Sequence, residues 1–248
     1  INEYGYMRFV LMDAFRRLLA GDLPAGSTGL DPDAVRAFSA ELYRLDGEIS
    51  FERAQVMGGI LSSLDPDQRA YLDAMVGHGM LEWPNPGDQL DPRDLTHDVQ
   101  VAVMTYAVDL FSWYSGSVEA DVYFCPERQG TYFGSFYLKD APAMGNPDYT
   151  IPSTLTGDMG EAFLEALTDE QAARVTALVD RQRDWLTEIV DRRTDVATEL
   201  RRFIAGEEAD RDSVLALMER YGELDGDIIL IYVDAFVAVS RDLTAAQQ

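Results

Sequence analysis

The sequence predicts a mainly α-helical fold: two related long-helix hairpins packed as an intrachain pseudo-dimer, with a small β-hairpin, loop-rich insertion between them. Three observations predict it. First, the chain repeats itself. Residues 31–68 align without a gap to residues 210–247 at an offset of 179, and 10 of the 38 pairs are identical. The identities cluster at Leu45-Asp46-Gly47 with Ile49, against Leu224-Asp225-Gly226 with Ile228. Second, apolar residues in the second copy recur at helical spacing. Third, the stretch between the copies changes to Pro, Gly and aromatic residues. A repeat this far apart sets the architecture before any motif is read.

The first copy occupies about 1–81. Arg16-Arg17 and Ala20-Gly21 match Arg201-Arg202 and Ala205-Gly206 at an offset of 185, so the turn after Gly21 is six residues longer than its counterpart. That offset puts Ile1 opposite Leu186, in the middle of a helix. The expectation is therefore a truncated first copy, with native sequence ahead of Ile1. On the same logic the expectation at Gln248 is either a continuing native chain or a few disordered residues, since Leu64–Gln68 runs on into further helix and Leu243–Gln247 stops.

The insertion spans about 82–157. Trp83-Pro84-Asn85-Pro86-Gly87 breaks the helix. Asp98–Tyr114 reads as a buried helix. Val122–Cys125 and Thr131–Leu138 read as two short strands about a turn at Glu127–Gly130, because dense large aromatics favour a pleated surface. Six of the twelve Tyr fall between 106 and 149, which makes this aromatic, loop-rich segment the expected binding region.

The second copy fills about 158–248. Thr168 before Asp169-Glu170-Gln171 is a helix start: a hydroxyl cap, early acids and a capping-box Gln. Val175, Leu178, Gln182, Trp185, Ile189, Val196, Leu200 and Phe203 then mark one stripe on a long helix. Glu188 and Arg192 stand at i,i+4 on its polar side. Gly206 is the expected stop, and Asp210 or Asp212 caps the next helix. Ile228–Val239 is apolar on most faces and is expected to be buried.

Composition bounds the function. A hydrophobic fraction of 47% supports a real core. A net charge of −24 argues against nucleic acid and anionic membrane surfaces, which need a basic face. Cys125 is the only Cys, so no intrachain disulfide framework exists. No stretch reaches the ~20 apolar residues of a membrane helix. The chain has no G-x-S-x-G, P-loop, dinucleotide or EF-hand pattern, and two His with one Cys leave little for a nucleophilic triad.

Leu167-Thr168…Gln171 and Leu243-Thr244…Gln247, with a degenerate Leu64-Asp65-Pro66…Gln68, enclose a long Arg/Glu-rich helix, a turn and a second helix. This arrangement resembles the Spy/CpxP family of periplasmic proteins. The resemblance covers the second copy well, the first weakly and residues 82–157 not at all. It implies a helical-hairpin fold, an envelope location, and a chaperone or metal-responsive role without enzyme activity. The chain departs from the family in being strongly acidic where the known chaperones have a basic concave face, and in fusing two hairpins in one chain.

Candidate sites carry two readings each. His78 between Met75 and Met80 is either a soft-metal ligand set or a surface His beside core Met residues. His97 is either a second ligand or part of a helix start. Cys125-Pro126, with Tyr123, Phe124, Tyr132 and Phe133, is either an exposed thiol that ligates haem or a soft metal or forms an intermolecular disulfide, or a buried, inert Cys. Asp46-Gly47-Glu48 and Asp225-Gly226-Asp227 are either paired cation sites or helix bends held by Gly and capped by Asp. The expected function is non-catalytic binding of a protein client or partner subunit. The alternative is an accessory subunit of an envelope or redox assembly, using Tyr123, Phe124, Tyr132, Phe133, Phe136 and Tyr137 as interface.

Overall fold

The computed structural model describes residues 2–22, 25–26, 29–73, 91–100 and 159–248. These residues are mainly helical, and no strand occurs among them. The helices are α1 (Asn2–Ala20), α2 (Pro32–Ser63), α3 (Pro66–Asp73), α4 (Met159–Ala166), α5 (Asp169–Thr176), α6 (Leu178–Leu200) and α7 (Arg211–Asp242). Short 3-10 turns cover Pro92–Asp94 and Arg201–Phe203. The strands expected at 122–125 and 131–138 lie outside the described residues, as does all but the start of the helix expected at 98–114.

The repeat seen in the sequence recurs in the geometry. Adding 179 to the bounds of α2 gives the bounds of α7 at both ends. Each begins on an Asp cap, Asp31 or Asp210, whose carboxylate accepts a backbone N–H of the first turn. Each ends on an extended Leu, Leu64 or Leu243, at ψ 133° and 131°.

The preceding turns agree too. Gly21 and Gly206 adopt φ of 72° and 77°, the left-handed region that closes a helix at low cost only for Gly. Gly21 N–H donates to the Leu18 carbonyl at 3.1 Å and Gly206 N–H to that of Phe203 at 3.2 Å. Asp22 N–H donates to Arg17 and Glu207 N–H to Arg202, both at 2.9 Å. The expected six-residue difference falls between these Gly residues and the Asp caps, in the longer connection to α2.

The most extensive helix pairing joins α2 to α7, and the next joins α6 to α7. The core between them contains Phe51, Ala54, Leu178, Ile189, Val196, Leu200, Val214, Met218, Tyr221, Leu224, Ile228, Ile231 and Tyr232. On the α6 side these residues follow the predicted stripe. The expected single helix from Asp169 to Phe203 is interrupted only at Ala177, which keeps helical angles (φ −59°, ψ −18°). Val175 and Leu178 on either side are fully buried, so packing carries the chain through the interruption. Of Ile228–Val239, the residues Ile228, Ile231, Tyr232, Val237 and Val239 are buried.

Candidate functional site

Two features draw on the sequence motifs: the α2–α7 crossing between the copies, and a clasp within the second copy made by the two Leu-Thr-x-x-Gln segments.

The crossing is antiparallel. Arg36 near the start of α2 meets Asp227 past the middle of α7, and Glu48 meets Arg211 at the start of α7. Close approach requires small residues. A Cβ built on Gly222 would lie 2.8 Å from the Ala40 Cα, inside any tolerable contact. Gly47 faces the Met218 Cβ at 3.1 Å, and Gly226 faces the Ser39 Cβ at 3.2 Å. Ser39 and Met218 are themselves related by the 179 offset, so the two contacts are one contact seen from each helix. The acids after each Gly are also related by the offset, and each meets an Arg of the opposite helix, although the two Arg residues are not equivalent positions. Glu48 accepts from Arg211 at 3.3 Å, and Asp227 accepts from Arg36 at 2.6 Å.

Asp46-Gly47-Glu48 and Asp225-Gly226-Asp227, read in the sequence as helix bends or paired cation sites, both lie at this contact. Both helices run unbroken through these residues. Gly47 admits the Met218 and Leu215 side chains, Gly226 admits the Arg36 backbone and the Ser39 side chain, and the following acid receives an Arg from the N-terminal part of the opposite helix. At the centre, Tyr43 and Tyr221 stack tilted with centroids 4.4 Å apart, and the Arg193 guanidinium lies 5.8 Å from the Tyr221 centroid. Glu188, expected to pair with Arg192 on its own helix, instead receives Arg220 of α7 at 2.8 Å. That hydrogen bond holds the Glu188 carboxyl below its ordinary value, against the opposing effect of burial. Arg192 pairs with Asp195 at 3.4 Å.

The clasp lies at the far end of α7. Thr168 and Gln171 form the expected capping box. The Thr168 N–H donates to Gln171 Oε1 at 2.9 Å, and Thr244 N–H donates to Gln247 Oε1 at 2.9 Å. The amides then reach across. Gln171 Nε2 donates to the carbonyl of Asp242, the residue before Leu243, at 2.9 Å. Gln247 Nε2 donates to the carbonyl of Ala166, the residue before Leu167, at 2.8 Å, and to Gln171 Oε1 at 2.7 Å. Beneath these bonds, Val175 and Val239 are buried among Phe163, Leu164, Leu167, Phe236 and Leu243. Arg174 bridges Asp242 and Glu170, and the hydrogen bond to Asp242 raises its already high pKa further.

The degenerate third box keeps the local half of this design. Asp65 N–H donates to Gln68 Oε1 at 3.0 Å, and Gln68 N–H donates to Asp65 Oδ1 at 2.8 Å. The start of the helix expected from Asp98 is capped by Thr96, whose hydroxyl accepts the Val99 N–H at 3.4 Å. His97 sits exposed in that first turn.

Met75, His78 and Met80 lie outside the described residues, as do Tyr123, Phe124, Cys125, Tyr132, Phe133, Phe136 and Tyr137. Among the described residues no group of three or more His, Cys, Asp or Glu is placed to hold a metal ion. None of the described helices is long and apolar enough to cross a membrane. On α1, Tyr6, Phe9 and Val10 share one exposed face, and their 185-offset counterparts Asp191, Thr194 and Asp195 are polar.

No protein-family model, curated protein or solved structure matches the chain.

Proposed function

We propose that this chain is a non-catalytic envelope binding protein with a Spy/CpxP-like role in stress protection or metal response. Its scaffold is an intrachain pair of helical hairpins, α1–α2 and α6–α7, related by an approximate twofold axis at the α2–α7 crossing. The observation that carries the reading is the reciprocal clasp of Leu167–Gln171 with Leu243–Gln247. It gives the two Leu-Thr-x-x-Gln segments, on which the resemblance rests, a shared structural task at the ends of one hairpin. The matched caps, turns and exchanged Gly and acid contacts support the paired arrangement. With one chain supplying both hairpins, a homodimer is not needed to build the cradle.

A client would be held through apolar contact and charge. Tyr6 is 73% exposed and Phe9 65% exposed, in a chain of net charge −24. This favours basic, partly unfolded clients over the acidic ones that a basic cradle would take. The test is aggregation of a chemically denatured basic protein, followed by light scattering without ATP. The expected result is suppression at up to equimolar chain, weakened by Tyr6→Ser with Phe9→Ser. Unaltered aggregation at equimolar chain rejects the chaperone role.

A further inference from the structure

We propose that α4–α5 is a detachable arm that gates a second client surface. It leaves the end of α7 by a hinge at Ala177 and uncovers an apolar strip, Phe236, Val239 and Leu243. The occupant of the strip is an apolar segment of a partly unfolded, basic client. The inference rests on the client reading for that occupant and goes beyond it by naming a covered surface and its gate.

The repeat displays the same helix end with and without the seal. On α7 the arm holds Val239 to 1% exposure. Its counterpart on α2, Ile60, is half-buried, and Val56, the counterpart of Ala235, is 44% exposed. Yet α2 runs to the equivalent residue and ends the same way, on Leu64 at ψ 133° against Leu243 at ψ 131°. The seal is therefore no requirement of the helix beneath it, and α7 keeps its last turns when the arm leaves.

The attachment has the build of a unit that opens locally. Each arm helix has eight residues, too few to persist without tertiary contact, so the arm docks or frays as a whole. Phe163, Leu164, Leu167 and Val175 supply its apolar contact, with the Phe163 and Phe236 rings 6.2 Å apart. Its ion pair to α7 joins Arg174 to Asp242, side chains 40% and 51% exposed, so solvent screens it. The α2–α7 crossing differs, since Gly222 lies locked against the Ser39–Ala40 backbone. Between the arm and α6 the helix is interrupted at Ala177, which places the hinge. Opening also frees Asp242 from Arg174 at the edge of the strip, where a basic client meets an acid.

Thiol labelling of the full chain in a Cys125→Ser background reads the opening. Val239→Cys is expected to react with a maleimide at least about tenfold faster than Leu224→Cys, although both native side chains are 1% exposed. Arg174→Gln is expected to speed labelling at 239 severalfold and to leave 224 unchanged. Equal rates at the two sites mark global unfolding and overturn the proposal, as does a rate at 239 indifferent to both Arg174→Gln and Gln247→Ala. Hydrogen exchange checks the parent chain without a core substitution. Amides of 169–175 are expected to exchange faster than those of 235–242, and exchange of both in step overturns the hinge. For the gate, Arg174→Cys and Asp242→Cys are joined by a short bis-maleimide and compared with the same chain capped singly at each thiol. The joined chain is expected to lose part of its suppression of client aggregation, and equal suppression by the two forms rejects the strip as a client surface. No suppression by the parent chain rejects the client reading itself, while labelling at 239 still decides whether the arm opens.

Discussion

At Gly222 the helix crossing is decided by a single missing methyl group. Gly in a helix interior costs roughly 0.5–1 kcal/mol relative to Ala, so Gly222→Ala would stabilise an isolated helix. In this protein the added Cβ meets the Ser39–Ala40 backbone, which no rotamer change can move aside. Overpacking of this kind costs about 1–3 kcal/mol, so net destabilisation is expected. Gly59 has the same helical setting with nothing within 4 Å of a built Cβ, so Gly59→Ala should stabilise by about 0.5–1 kcal/mol. Urea titration of the two variants checks this, and shifts of the same sign would contradict the crossing.

Glu188 carries the clearest pH dependence. Its folded pKa is depressed, chiefly by the Arg220 hydrogen bond. Its contribution is therefore fully present above the unfolded carboxylate value, and is lost as pH falls through the lower folded one. Because 39% of the Glu188 side chain is exposed, solvent screening keeps the effect small, under about 1 kcal/mol. Glu188→Gln is expected to be less stable than the parent at pH 7, with the gap closing below about pH 4. Paired melts across that range measure it.

At the scale of elements, the clasp makes α4 and α5 dependent on the end of α7. Helices this short do not hold together alone, and their apolar residues pack against Val239, Phe236 and Leu243. Gln171→Ala and Gln247→Ala are expected to couple, with an interaction term of about 0.5–3 kcal/mol in a double-mutant cycle. Hydrogen exchange should show the loosening in residues 159–177, with the α2–α7 crossing keeping its protection.

The helix starts and stops were legible in the sequence because caps are local. Asp31, Thr168, Asp210, Gly21 and Gly206 each act within one turn of their own position. The six-residue difference between turns could be read for the same reason. The partners across elements could not. Glu188 has a suitable Arg at i,i+4, yet it pairs with Arg220, 32 residues on. Asp-Gly-Asp and Asp-Gly-Glu invited a bend because Gly is read locally as a breaker. Their purpose appears only when the second helix lies against them. The cross-clasp of Gln171 and Gln247 was hidden likewise, since a capping box accounts for each Gln alone. Of the candidate sites, His78 with Met75 and Met80, and Cys125 with its aromatic neighbours, fall outside the described residues.

At the scale of the whole molecule, the account turns on one arrangement: α2 and α7 as equivalent helices crossing antiparallel. It explains why Gly47 and Gly226, the acids Glu48 and Asp227, and the caps Asp31 and Asp210 fall 179 residues apart. It places the exposed Tyr6, Phe9 and Val10 of α1 on the first hairpin. At this crossing the ion pairs of Arg36 with Asp227 and of Arg211 with Glu48 offset part of the acidic repulsion locally.

The most direct measurement is a pair of engineered cross-links in a Cys125→Ser background. Gly47→Cys with Met218→Cys joins sites whose Cβ positions lie 3.1 Å apart, and Ser39→Cys with Gly226→Cys joins sites 3.2 Å apart. Both separations are within a few tenths of an ångström of the ~3.5–4.5 Å that a disulfide spans. Equivalent helices predict that both pairs oxidise rapidly and to the same extent within the monomer, with helical circular dichroism unchanged. Failure of both pairs, or efficient closure of one with none of the other, would contradict the paired-hairpin account.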